Sequence, residues 1–127
     1  MREQKMIRVL VTGSTVWNDE DAIKRELRKL GRELVIVTGD TPGVDAVAIS
    51  IASDDGLKFE AMKKNQEDYE RYPKEAWKGL NERMLASGID LVLAFHAEYN
   101  VQGKARGTIH AVELAMQSGV EVKVFTC

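Results

Sequence analysis

The chain is poor in the residues that build disulfide scaffolds, extended linkers or stacking surfaces. It has one cysteine, Cys127, among 127 residues, which excludes an internal disulfide or a cysteine metal cluster and suits a reducing compartment. Two prolines and 6% aromatic residues exclude a proline-rich linker and a face paved with stacking rings. No apolar run is long enough to cross a bilayer, and Met1–Lys5 lacks the following apolar segment and cleavage site of a signal peptide. The expectation is a soluble, cytoplasmic protein with no membrane partner. Nor does either charge dominate. The net charge of −2 gives no whole-molecule pull toward nucleic acid or anionic lipid, leaving only local patches. The two histidines lack acidic or cysteine companions at ligand spacing, so no metal site is expected.

What is present is an alternation of strand-like and helix-like periodicity along the whole length. At 127 residues the chain makes one domain with a real core. The alternation predicts an α/β three-layer sandwich with a five-stranded parallel sheet and four main helices. Strands are expected near Ile7–Val11, Leu34–Thr38, Lys58–Met62, Leu91–Phe95 and Glu121–Phe125. The first helix starts near Glu20 behind an Asp19 N-cap, places Ile23, Leu27 and Leu30 on one face, and closes at Gly31. The second and fourth strands are continuously apolar, as strands covered on both faces must be, whereas the third and fifth alternate like edges. The order 3-2-1-4-5 follows. It creates a switch point between strands one and four, the crevice where open α/β sheets bind ligands.

Three glycine-bearing crossings from strand to helix converge on that edge. They are Thr12-Gly13-Ser14-Thr15, Thr38-Gly39-Asp40-Thr41-Pro42-Gly43-Val44-Asp45 and Gly103-Lys104-Ala105-Arg106-Gly107-Thr108. Glycine lets backbone approach a ligand, and the first N–H groups of a helix can point at an anion, here from about Val44 and from Arg106. The spacing around Gly13 lacks the glycines of a dinucleotide site, and bulky Trp17 follows, so no nicotinamide cofactor is assigned. His96 ends a buried strand and reads either as a base at the switch point or as a half-buried capping imidazole. His110 reads as a helix-surface partner of Glu113. Residues 63–79, unusually rich in aromatics for this chain, read as partly helical, as a flap over the crevice, or as cover for the sheet end or a dimer contact. The helix after Asp45, Ala46-Val47-Ala48-Ile49-Ser50-Ile51-Ala52, is apolar on almost every face. Close internal packing and a homo-oligomer interface both account for it, and a homodimer or larger homo-oligomer is the sharper expectation.

The strand-one motif ending in Gly13-Ser14, the Gly39-to-Asp45 loop, Asn81-Glu82-Arg83-Met84 and Arg106-Gly107-Thr108 together resemble the YspA-type branch of the SLOG superfamily. These are Rossmann-like domains related to the Lonely Guy cytokinin-activating enzymes and to the DNA-processing protein DprA. The resemblance covers nearly the whole chain in the right order. It implies a nucleotide or nucleotide-derived ligand and no resident cofactor. Gly13 and Ser14, with Thr15 beside them, match the first loop; Gly39, Gly43 and Asp45 match a Gly-Gly-x-x-Gly-x-Asp motif in which Asp40 replaces the second glycine. A carboxylate there repels a phosphate unless it turns away or a cation intervenes. Asn81 and Met84 match an Asn-x-x-Met pattern at the start of the third helix, Arg83 offers positive charge, and Arg106, Gly107 and Thr108 match the final helix opening.

The glutamate that the enzyme branch carries just after Gly-Thr is missing, since Ile109, His110 and Ala111 follow Thr108. No catalytic residue is therefore assigned. The function expected is binding, or sensing, of a nucleotide-like molecule. The alternatives are a hydrolase or transferase that cleaves an N-glycosidic bond with Asp40, Asp45 or Glu113 as its acid, and DprA-like association with single-stranded DNA, which the absence of a basic stripe disfavours.

Overall fold

The computed structural model describes residues 6–127; the N-terminal reading made on Met1–Lys5 lies outside them. The elements follow one another as β1 (Ile7–Gly13), α1 (Glu20–Arg28), β2 (Leu34–Thr38), α2 (Val44–Asp55), β3 (Lys58–Ala61), α3 (Gln66–Arg71), α4 (Trp77–Ala86), β4 (Leu91–Phe95), α5 (Arg106–Gln117) and β5 (Glu121–Phe125). All five strands are parallel in the order β3-β2-β1-β4-β5, as the apolar patterning predicts.

The core has two slabs because successive side chains of a strand point to opposite faces. Val9 and Val11 of β1 face α1 and α2, meeting Ile23, Leu27, Val44 and Ala48, while Leu10 faces Leu80 and Met84 of α4 and Ala115 of α5. The central strand β4 is buried at every position, the edge β3 is exposed at every position, and β5 is mostly exposed. Helix α2 is covered by α1 and the sheet through Val44, Ala48, Ile51 and Ala52, leaving Ala46, Ser50 and Ser53 outward. Asp19 caps α1 by accepting the Ala22 N–H at 3.1 Å. The helix ends at Arg28, three residues before the expected glycine, with Lys29 as C-cap and Gly31 in the following turn.

Among the described residues the four main helices are joined by a short fifth, α3, so the segment 63–79 is partly helical. This helix forms because Asn65 and Asp68 make a reciprocal capping box, each accepting the other's backbone N–H at 2.9 and 3.0 Å. Three other expectations need correction. Asn81 lies in the middle of the fourth helix rather than at the start of the third. Trp17 does not block the first loop: it is buried, donates from Nε1 to the Asp19 carbonyl at 2.8 Å and packs edge-on against Phe95. His110 is no surface partner of Glu113. Glu113 is exposed, whereas the His110 ring stands edge-on to Trp77 at 5.5 Å and places Nδ1 3.2 Å from the Asn81 amide nitrogen.

Candidate functional site

A cleft of about 500 Å³ opens at the C-terminal ends of β1, β2 and β4. Its floor is the switch point itself. Gly13 pairs with Phe95 across the two strands, and the Ser14 N–H donates to the Phe95 carbonyl at 2.9 Å. A side chain at Gly13 would collide with that same carbonyl, so the glycine is required by the approach of two strands. Ser14 is buried, and its Oγ accepts the Val16 N–H at 3.0 Å; the hydroxyl proton remains available to the cleft. Thr15 and the exposed Val16 form the rim.

On the α2 side the first helical N–H is already taken and a buried carboxylate stands at the helix start. The Val44 N–H, expected to be free for an anion, donates to the Ser14 carbonyl at 3.1 Å. Gly43 sits in the left-handed region at φ 76°, and a Cβ there would strike Ser14 and Thr15. It locks the first and second loops together and does not itself line the cleft. Asp40 is exposed and turned away from it. Gly39 and Asp45 do line it, and they are coupled, since a Cβ on Gly39 would lie 2.7 Å from Asp45 Oδ2.

Asp45 is 7% exposed and accepts the Thr41 hydroxyl at 2.8 Å. Burial pushes its carboxyl above the usual carboxylate range; bonds from Thr41 and Thr38 oppose this and the Asp40 charge adds to it. The Thr38 hydroxyl proton is directed at the Val11 carbonyl at 2.8 Å. Of the two opposing threonines, Thr41 therefore carries the support for the charged form.

The α5 side has the opposite character. The residue before the helix, Ala105, holds the left-handed conformation at φ 57°, and no side chain caps the helix. Ala105, Arg106, Gly107 and Thr108 all line the cleft, and the N–H groups of Arg106, Gly107 and Thr108 have no acceptor among the described residues. Three cationic residues, Lys64, Lys104 and Arg106, stand on the same lining together with an acid, Glu98. Arg106 is largely exposed, pairs with Glu75 and lies over the Trp77 ring at 5.7 Å. Asn81 and His96 complete the set of predicted residues in the wall. The His96 Nδ1 accepts the Glu98 N–H at 3.1 Å, which leaves its Nε2 carrying the proton when the ring is neutral.

Arg83 is elsewhere. Its guanidinium is bound to Asp68 at 2.6 and 3.1 Å and to the Lys63 carbonyl at 2.6 Å, and Asp68 is only 1% exposed. Arg83 lowers the pKa of the Asp68 carboxyl, an anchor for α3. The cleft thus gathers ten of the thirteen predicted residues and leaves Asp40, Gly43 and Arg83 outside. Sequence reasoning missed Lys64, Lys104, Trp77 and Thr41. Lys104 and Arg106 did carry a signal, because two cations at a helix N-terminus oppose its dipole and call for an anion.

A family model described as YspA, cpYpsA-related SLOG matches residues 7–69, which include the first two loops. Gene 61 protein of Mycobacterium phage D29 is 34% identical over 125 residues, covering 92% of this chain and 94% of that protein. The chain belongs to the YspA, cpYpsA-related SLOG family. Among solved structures this SLOG domain superposes on DNA processing protein A (DprA) of Streptococcus pneumoniae with a TM-score of 0.72 at 20% identity, over 94% of its own length and 50% of the DprA chain. It also superposes on a predicted subunit of a tRNA methyltransferase from Methanocaldococcus jannaschii with a TM-score of 0.50 at 17% identity, covering 94% of this chain and 67% of that one. The SLOG domain spans half of the DprA chain, and at these identities both likenesses establish the fold.

Proposed function

We propose that the cleft binds a nucleotide or a nucleotide-derived small molecule, with a phosphate at the N-terminus of α5. The observation that carries this reading is the uncapped start of a 12-residue helix opening into a cleft that also presents Lys64, Lys104 and Arg106. Free first-turn N–H groups and the helix dipole favour an anion there, and the three cations strengthen that preference. Membership of the SLOG family supports a site on this edge of the sheet. The remaining volume suits a sugar and a base.

A second reading has one observation in its favour. Of the three acids that could assist departure of a base, Asp40 and Glu113 stand outside the cleft, while Asp45 is buried within it and has a raised pKa. Burial that favours the protonated carboxyl makes Asp45 better suited than an exposed acid to donate a proton to a leaving group. Cleavage of an N-glycosidic bond would then centre on Asp45.

One experiment tests both readings. A thermal-shift panel of nucleotides, nucleotide sugars, cyclic nucleotides and the matching nucleosides is run, and every stabilising mixture is chromatographed for free base. Binding predicts stabilisation by phosphorylated members with the ligand unchanged. Arg106→Ala is expected to weaken phosphorylated ligands by about three- to tenfold and the nucleosides much less. Equal loss for both classes counts against the phosphate assignment. Base release that Asp45→Asn abolishes establishes the enzyme reading.

A further inference from the structure

His110 stands immediately behind the cleft wall and has no part in the reading above. Its Nδ1 lies 3.2 Å from Nδ2 of Asn81, and the same Nδ2 donates to the Gly107 carbonyl at 3.0 Å. A carbonyl only accepts, so the amide nitrogen and not the amide oxygen must face Gly107, which fixes the orientation of the Asn81 side chain. The second amide proton is directed at His110 Nδ1, which must then offer a lone pair. His110 is therefore the neutral tautomer with its proton on Nε2. Both Asn81 protons are used inside the protein, and Asn81 Oδ1 has no partner among the described residues. The residue is 6% exposed and lines the cleft. The result is an acceptor with no donor capacity, set beside the first turn of α5.

We propose that Asn81 Oδ1 is the recognition point for a hydroxyl on the sugar of a phosphorylated ligand, and that His110 is the positioning residue that holds it in register. The inference rests on the phosphate reading given above. Asn81 is bonded to Gly107 within the first turn itself, so a phosphate at that turn brings its sugar, rather than its base, against the amide. An acceptor on the ligand at this point would face Oδ1 with no proton between them, and is rejected.

Protonation of His110 would disable the arrangement. It puts a proton on Nδ1 directed at an Asn81 N–H, and relieving the opposed donors requires the amide to leave Gly107. Beside Asn81 and Trp77, the groups facing His110 are Glu82 and Lys78 of α4, Glu113 of α5 and Glu75 in the turn before α4. Burial of the ring, helped by Lys78, outweighs the three glutamates and keeps His110 below the ordinary imidazole value. The neutral tautomer is thus the form present at pH 7.

The test compares inorganic phosphate, methyl phosphate, ribose 5-phosphate, AMP and IMP by titration calorimetry on the full chain. Methyl phosphate has the charge without a sugar hydroxyl, and AMP and IMP separate a base amine from a base carbonyl. Ribose 5-phosphate is expected to bind about tenfold tighter than methyl phosphate. That ratio should collapse in Asn81→Leu and His110→Phe, survive in His110→Gln, which retains an acceptor, and fall in the parent protein as the pH is lowered through the range in which His110 takes up its proton. Using the ratio cancels the phosphate's own ionisation.

If neither inorganic nor methyl phosphate binds, the phosphate reading fails and takes this inference with it. If methyl phosphate binds but ribose 5-phosphate gains nothing, or its gain survives His110→Phe, this inference alone is overturned. An AMP preference over IMP in place of a sugar preference overturns the hydroxyl assignment. An independent readout is the long-range proton–nitrogen spectrum of the imidazoles, with His110 assigned by its loss in His110→Phe. The proton is expected on Nε2 at pH 7, and a proton on Nδ1 overturns the proposal without any ligand.

Discussion

The starts of α2 and α5 are both reached through a glycine-bearing crossing from a central strand, yet they have opposite electrostatics. At α2 the Val44 N–H is bonded to Ser14, Gly43 is wedged against the first loop, and the Asp45 carboxyl occupies the opening. At α5 the helix begins without a cap, and cationic side chains flank it on the cleft side. A glycine at a crossing therefore says only that backbone comes close to something. At α2 that something is the protein's own first loop. Whether a helix start can hold an anion depends on which N–H groups are left over and on the sign of the charge placed beside them.

The contrast can be broken most severely at Gly43. Gly43→Ala puts a Cβ into Ser14 and Thr15 at a positive φ, and a loss of more than about 3 kcal/mol in urea unfolding is expected. A near-neutral result would mean that the packing of Gly43 against the first loop is loose and that the Val44 N–H is available after all.

Asp45 gives a smaller effect whose sign depends on pH. Its folded pKa is raised from 3.8, so the fold favours the protonated form. The stability this contributes is full below the unfolded pKa and is lost as the pH rises through the folded one. Asp45→Asn keeps an acceptor for Thr41 and removes the buried charge. The variant should match the parent in acid and melt higher at pH 7, as differential scanning calorimetry across that range would show. A variant less stable at neutral pH would show that the ionised carboxylate stabilises the loop.

The smallest effect is at the other helix. Ala105→Gly relieves the left-handed conformation that precedes α5, and a gain of about 0.5–1 kcal/mol in chemical denaturation is expected with phosphate binding unchanged. Loss of binding in this variant would make the Ala105 backbone part of the recognition surface rather than its support.

The layout of the sheet was legible in the sequence because it depends on burial alone. Leu34-Val35-Ile36-Val37 and Leu91-Val92-Leu93-Ala94-Phe95 are uninterrupted apolar runs, and a parallel strand with both faces covered has no other pattern. The positions of the loop residues followed from that layout, which is why Gly13, Ser14, Arg106 and Thr108 meet in one cleft. What was not legible depends on pairing across the fold. Arg83 and Arg106 look equivalent in a sequence and both form ion pairs, but Asp68 draws Arg83 to a buried carboxylate away from the cleft, whereas Glu75 leaves Arg106 on its lining. His110 and Glu113 have the spacing of a surface pair, but the crossing of α5 over α4 rotates the imidazole toward Asn81.

The order of the strands also has a consequence for how the site comes into being. β1 pairs with β2 across a short stretch of chain, Val9 with Ile36, but its other edge pairs with β4, Val9 with Leu91. This second zipper spans most of the polypeptide and is the slow kind of contact in a folding reaction, because a long loop must close before it is rewarded. The cleft floor, Gly13 against Phe95, lies at the end of that zipper. The chain can therefore assemble β1, β2, α1 and α2 as a local unit that has no binding site, and the pocket appears only with the most distant pairing of the sheet. A ligand bound on this floor would touch both sides of the seam and so hold together the two paired strands that lie farthest apart in sequence.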